Sequence, residues 1–112
     1  MYEVTKMCNT ITLSPKEDKP AILSINEEER QVAVNGRACP LTQQEYSLLV
    51  LLIEHLNQPV SREELLRIAW GYVCPGATRT VDVHVQRLRK KIGCPCIETV
   101  YRHGYRLRAV SV

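Results

Sequence analysis

The sequence predicts an α+β domain: a small N-terminal antiparallel sheet, three helices and a C-terminal β-hairpin. Three observations carry this reading. Asn35-Gly36 lies between two short strand-like runs, and both central residues of a type I′ hairpin turn need positive φ, which Asn and Gly supply. Three segments beginning near residues 43, 62 and 79 space their apolar residues with helical period and carry helix start or stop signals. Tyr105, Leu107 and Ala109 alternate with Arg106, Arg108 and Val110 just after a tight turn, the pattern of a half-buried strand.

The chain has 112 residues, one ordinary domain. Its 45% hydrophobic and 24% charged content excludes a disordered or low-complexity chain and is enough for a core without disulfides or a structural metal. The longest apolar run, residues 48–53, is far short of the roughly 20 residues that span a bilayer. No basic segment followed by an apolar one opens the chain, as a secretory signal would. The expectation is a soluble cytoplasmic domain with no membrane partner.

Residues 1–20 are polar and end in Ser14-Pro15-Lys16-Glu17-Asp18-Lys19-Pro20. They read as a tail with one short candidate strand at 10–13, and the regular domain is 21–112. Strands follow at 21–25, 31–34 and 37–41. Pro40 cannot donate to a ladder, so the last of these is an edge strand or ends there. Thr42-Gln43-Gln44-Glu45 is a capping box opening a helix over 43–56. Tyr46, Leu49, Val50, Ile53 and Leu56 form one face, and Leu48, Leu51 and Leu52 widen it almost all round, so the helix is central. A second capping box, Ser61-Arg62-Glu63-Glu64, opens a helix ending near Trp70, with Gly71 as its C′ residue. Residues 72–77 contain Pro75-Gly76 and form a loop. The third helix runs from Thr78 or Arg79 to Ile92 and Gly93 stops it. Strands at 97–101 and 105–110 enclose a turn at Arg102-His103-Gly104. Two short helices before a basic hairpin are the parts of a winged helix.

On a helical wheel at about 100° per residue, Val81, Val85, Leu88 and Ile92 fall within about 60° and face the core. Arg79, Val83, Gln86, Arg87 and Lys90 lie opposite, Thr80 beside them, with His84, Arg89 and Lys91 on the flanks. Arg can take guanine, and Gln adenine, with two hydrogen bonds each in a major groove. Lys90 and Arg89 suit phosphates. An outward Val83 is explained either by a thymine methyl or as an ordinary exposed apolar residue. The hairpin's basic turn, with Arg102 and His103, suits a narrow minor groove; it equally suits an edge protected from aggregation.

Charge is uneven. Residues 1–60 hold five Lys/Arg against eight Asp/Glu, and residues 61–112 hold ten against four, within a net charge of +3. This fits a second half that meets a polyanion, or simply a solvated surface. The five cysteines, Cys8, Cys39, Cys74, Cys94 and Cys96, are odd in number, which argues for reduced thiols over a disulfide framework. Cys94-Pro95-Cys96 is too closely spaced for a usual zinc pair, and His55, His84 and His103 are scattered, so no metal and no cofactor are expected. There is no glycine-rich phosphate loop and no G-x-S-x-G. Glu63-Glu64 reads as a helix first turn and residues 27–29 as a solvated turn. The chain is not expected to be an enzyme.

The motifs together resemble the effector domain of OmpR/PhoB-type response regulators. Leu41-Thr42-Gln43-Gln44-Glu45-Tyr46-Ser47-Leu48-Leu49 is similar to its start, Val60-Ser61-Arg62-Glu63-Glu64-Leu65-Leu66 and Ala69-Trp70-Gly71 continue it, and residues 79–92 resemble its recognition helix. Ile97-Glu98-Thr99-Val100 and Gly104-Tyr105-Arg106-Leu107 resemble its wing. The resemblance covers residues 21–110. It implies a winged helix-turn-helix with a four-stranded antiparallel N-terminal sheet, the third helix in the major groove and the wing at the minor groove of double-stranded DNA, and a role in two-component phosphorelay transcription regulation. It implies DNA contacts at Arg79, Thr80, Val83, Gln86, Arg87 and Arg89, and phosphate contacts at Thr99 and Tyr105. It implies that the loop Tyr72, Val73, Cys74, Pro75, Gly76 and Ala77 meets RNA polymerase, and that tandem homodimers form on direct repeats.

Two departures stand out. The family wing reads V-R-G-x-G-Y where this chain has Val100-Tyr101-Arg102-His103-Gly104-Tyr105; the arginine is one place later, and an odd shift reverses side-chain direction in a hairpin. No receiver domain precedes the sheet within these residues, which fits a stand-alone regulator or a piece of a longer one. Two rival readings accompany this one: a winged helix that contacts only proteins, and a thiol- or metal-responsive regulator using Cys74, Cys94 and Cys96.

Overall fold

The computed structural model describes residues 9–13, 21–71, 78–93 and 96–109. The expected loop at 72–77, and Cys8, Cys74 and Cys94, lie outside the described residues. Four strands, β1 (Asn9–Leu13), β2 (Ala21–Asn26), β3 (Gln31–Val34) and β4 (Arg37–Ala38), form an antiparallel sheet in sequence order. Three helices follow, α1 (Gln43–Glu54), α2 (Arg62–Trp70) and α3 (Arg79–Ile92), then a hairpin of β5 (Ile97–Val100) and β6 (Gly104–Leu107). This is the α+β order expected from the sequence.

The Asn35-Gly36 turn forms as its residues require, with φ of 53° and 82°. Asn35 also fastens the turn to β2. Its amide donates to Ile22 O at 2.7 Å and its Oδ1 accepts from Ile22 N at 2.8 Å. β4 has two residues and ends before Pro40, shorter than the expected 37–41, because proline cannot continue the ladder.

Thr42 caps α1. Its Oγ1 accepts from Glu45 N at 3.2 Å, and Glu45 Oε1 accepts from Thr42 N at 3.0 Å. The buried stripe of α1 is Glu45, Leu48, Leu49, Leu51 and Leu52. Tyr46, Val50, Ile53 and Leu56, expected at the centre of the face, are half-buried at its margin. The helix also stops before 56, at Glu54. Asn57 takes a φ of 66°, its amide donates to Leu107 O and its Oδ1 accepts from Ala109 N, each at 2.9 Å. The final strand thus pulls the chain out of the helix.

At α2 only half of the expected capping box forms. Ser61 Oγ accepts from Glu64 N at 3.1 Å, but the Glu64 carboxylate pairs with Arg67 at 2.7 Å. Gly71 and Gly93 end α2 and α3 in the left-handed region, as C′ glycines do. The N-terminal sheet, the three helices and the hairpin share one core. Leu23, Leu48, Leu49, Leu52, Leu65, Leu66, Val81, Val85, Leu88 and Leu107 are all fully buried in it, each contributing roughly 1.5–3 kcal/mol of transfer free energy.

Besides Asn57, a second residue between α1 and α2 joins the hairpin to the helices. Val60 N donates to Tyr105 O at 2.8 Å, and Tyr105 N to Val60 O at 3.0 Å. The turn is Tyr101–His103 rather than 102–104. Gly104 belongs to β6, has a φ of 107°, and lies so close to Val60 that a Cβ there would sit 1.9 Å from Val60 O. Among the described residues no helix is long and apolar enough to cross a membrane.

Candidate nucleic-acid interface

α3 is divided lengthwise. Val81, Val85, Leu88 and Ile92 are buried, as its spacing requires. Arg79, Val83, Gln86, Arg87 and Lys90 are exposed and Thr80 is half-buried. Val83 keeps 43% of its surface in solvent and lies outside the core cluster of the described residues. No ion pair or side-chain hydrogen bond ties Gln86, Arg87 or Lys90 to another described residue. The outer face is therefore a strip of free donors and cations around one apolar side chain.

The flanks are organised differently. Thr80 O lies 2.9 Å from His84 Nδ1, a contact that places the proton on that nitrogen. The His84 ring meets Trp70 edge-on at 4.9 Å, packing α2 against α3.

Three residues that the resemblance assigns to DNA also take part in contacts within the fold. Arg89 donates from Nε to Ile97 O at 3.0 Å and from Nη2 to Thr99 Oγ1 at 2.9 Å. Tyr105 is 4% exposed and its hydroxyl donates to Asp82 Oδ1 at 2.6 Å. Its ring is covered by the guanidinium groups of Arg62 at 5.0 Å and Arg89 at 5.4 Å. Arg62 Nε donates to the same Asp82 oxygen at 2.8 Å. In this arrangement the Tyr105 hydroxyl donates to a carboxylate and the residue is buried, whereas the resemblance would have it hold a phosphate. Burial pushes the Tyr105 phenol up, and Asp82 adds to that. Burial works against the Asp82 charge, but the Tyr105 and Arg62 hydrogen bonds and the nearby Arg79 outweigh it and hold the carboxyl below its ordinary value. The group is an anion among cations, not a general acid.

The wing's basic side is also partly neutralised. Glu98 sits opposite Arg106 in the hairpin. It accepts from Arg106 at 2.7 Å and lies 3.4 Å from Arg108. The freely exposed cation of the wing is at its tip. Arg102 takes a φ of 65°, and its guanidinium stacks 5.2 Å above the Tyr101 ring, which is 78% exposed. The shifted arginine is thus paired with an aromatic at the tip.

The sequence reading missed Asp82, Arg62 and Glu98. Asp82 reads in sequence as a first-turn acid favourable to the helix dipole. Glu98 needed the correct hairpin register, which moves when the turn is centred on residue 102. Among the described residues no group of three His, Cys, Asp or Glu side chains is placed to hold a metal ion.

A central helical trio with α3 presenting a free basic face, followed by a hairpin pinned beside it, defines a winged helix-turn-helix domain. The model of the family described as "Transcriptional regulatory protein, C terminal" matches residues 36–107, and the chain belongs to that family. It is 44% identical over 87 residues to the uncharacterized transcriptional regulatory protein YclJ of Bacillus subtilis, covering 74% of this chain and 38% of that one. The chain thus spans well under half the length of that relative. Among solved structures it resembles the Klebsiella pneumoniae RstA DNA-binding domain in complex with RstA box. That match has TM-score 0.73 and 30% identity, and covers 89% of this chain and 97% of that one. It also resembles the DNA-binding domain of Bacillus subtilis CssR, with TM-score 0.68, 41% identity and coverage of 76% and 98%.

Proposed function

We propose that this chain is the DNA-binding part of a bacterial transcription regulator, acting on double-stranded DNA in the cytoplasm and doing no chemistry of its own. The carrying observation is the outer face of α3, where Gln86, Arg87 and Lys90 are exposed and tied to no other described residue and Val83 keeps 43% of its surface in solvent. Family membership and the DNA-bound RstA relative support it. Arg79, Thr80, Val83, Gln86 and Arg87 read base edges in the major groove, Lys90 positions on phosphate, and Arg102 enters the minor groove. Recruitment of RNA polymerase by residues 72–77 and tandem homodimers on direct repeats belong to the same reading.

The test is duplex affinity against salt. Neutralising about five phosphates predicts a slope of log K against log salt of roughly −4 to −5. Selection of bound duplexes from a random pool should return a defined motif. Salt-independent or absent duplex binding, with retention of an acidic protein, would replace this reading with a protein-contact module.

A further inference from the structure

We infer that Tyr105 and Asp82 are positioning residues that lock the wing to the recognition helix, so that the two read DNA as one rigid unit. The inference rests on the DNA-binding reading above and adds to it a coupling between two contact sites. Asp82 lies in the first turn of α3, beside exposed Arg79 and Val83. Tyr105 follows Gly104 at the root of the wing tip that carries Arg102. One short hydrogen bond of 2.6 Å joins them.

The bond is held from several sides. Arg62, from the first turn of α2, donates to the same oxygen and covers the Tyr105 ring. Arg89, two turns further along α3, covers that ring and bonds β5 at Ile97 O and Thr99 Oγ1. The wing is therefore attached to both ends of the reading face. Without those attachments the hairpin is held at its base by Val60, Asn57 and the burial of Ile97 and Leu107, and its tip gains freedom to tilt. Tilting moves Arg102 relative to Arg87 and costs the orientation that makes a second contact cheap once the first is formed. Tyr105 acts here through position, with its hydroxyl on a carboxylate and not on a phosphate.

A double-mutant cycle on the full chain tests this, using the tightest duplex that the wild type recovers from a random pool. Tyr105→Phe keeps the ring and removes the bond. Arg102→Ala should weaken the wild type about tenfold but Tyr105→Phe only about twofold, because an unlocked wing contributes less. Asp82→Asn keeps an oxygen that can accept from Tyr105 and should retain coupling above the Tyr105→Phe value, whereas Asp82→Ala should match Tyr105→Phe. A merely structural role would lower the thermal midpoint and leave the two Arg102→Ala losses equal. Arg102→Ala losses in folded Tyr105→Phe and Asp82→Ala that equal the wild-type loss overturn the inference while leaving DNA binding intact. Failure of the wild type to bind any duplex overturns the DNA reading instead.

Discussion

Lys91 donates to Glu45 Oε1 across 2.7 Å, fastening the last turn of α3 to the first turn of α1. The Glu45 carboxylate is 1% exposed and also accepts from Thr42 N. Burial alone would raise its pKa, but the Lys91 and Thr42 interactions outweigh it and lower the value. A depressed carboxyl stabilises the fold above the ordinary Glu value of about 4.3, and that contribution is lost as pH falls through the lower folded value. Lys91→Met keeps the apolar stem and removes the charge. It should cost about 1–3 kcal/mol at pH 7, less than a fully buried pair because Lys91 is partly exposed. The gap from wild type should shrink as pH drops below about 4. Denaturant titrations at several pH values check this, and a pH-independent gap would remove the linkage.

Gly104 is fixed by proximity as well as by φ. An added Cβ would collide with the Val60 carbonyl, which is backbone and bonded to Tyr105. Gly104→Ala should cost about 3 kcal/mol or more and should weaken duplex binding by displacing the wing. Gly36→Ala has the strain of positive φ but open space around it, so about 1 kcal/mol is expected there. Similar unfolding midpoints for the two variants would contradict the crowding at Val60.

Legibility in the sequence followed the range of each interaction. The turn at Asn35, the cap at Thr42 and the core stripe of α3 depend on residues a few positions apart, and they formed as their spacing predicts. The inner stripe of α1 was misplaced because Leu48, Leu51 and Leu52 leave a wheel with little polar contrast, and buried Glu45 is read as surface until Lys91 is brought to it from 46 residues away. Arg89, Thr99 and Tyr105 carry donors suited to DNA, and only the fold shows that Arg89 bonds Thr99 and Tyr105 bonds Asp82.

Two thiols lie in the interior of the described fold. Cys39 and Cys96 are both buried. Cys39 Sγ lies 3.4 Å from Lys91 O at the end of α3, and burial pushes its thiol up. Both should resist a thiol reagent in the folded chain and react on unfolding, since the thiolate is the reactive form. Mass spectrometry after pulsed alkylation measures this. Prompt labelling of Cys39 under native conditions would show that the end of α3 opens locally.

Arg87 and Lys90 share one exposed face but should act differently. Arg87 lies mid-helix beside Gln86, so Arg87→Ala should cost about 1–3 kcal/mol on the selected duplex and relax preference at one position. Lys90 lies a turn nearer the helix end. Lys90→Ala should weaken all duplexes alike and reduce the salt slope by about one. Equal losses for Arg87→Ala on selected and random duplexes would move it from reading to positioning.

The wing tip is expected to discriminate flanking sequence through Tyr101 and Arg102 together. A·T-rich minor grooves are narrow and concentrate negative potential, which favours a protruding guanidinium. The Tyr101 ring under Arg102 restricts that guanidinium and adds a cation–π interaction of about 0.5–1 kcal/mol at an exposed site. Arg102→Ala should therefore weaken binding more when the flank is A·T-rich than when it is G·C-rich. Tyr101→Ala should produce a smaller loss with the same flank dependence, because it leaves the charge and removes its support. Tyr101→Phe keeps the ring and should bind as the wild type does. Competition titrations with paired duplexes differing only in the flank measure all three. Flank-independent binding by wild type and Arg102→Ala, with a large loss in Tyr101→Ala, would assign the contact to the tyrosine ring itself.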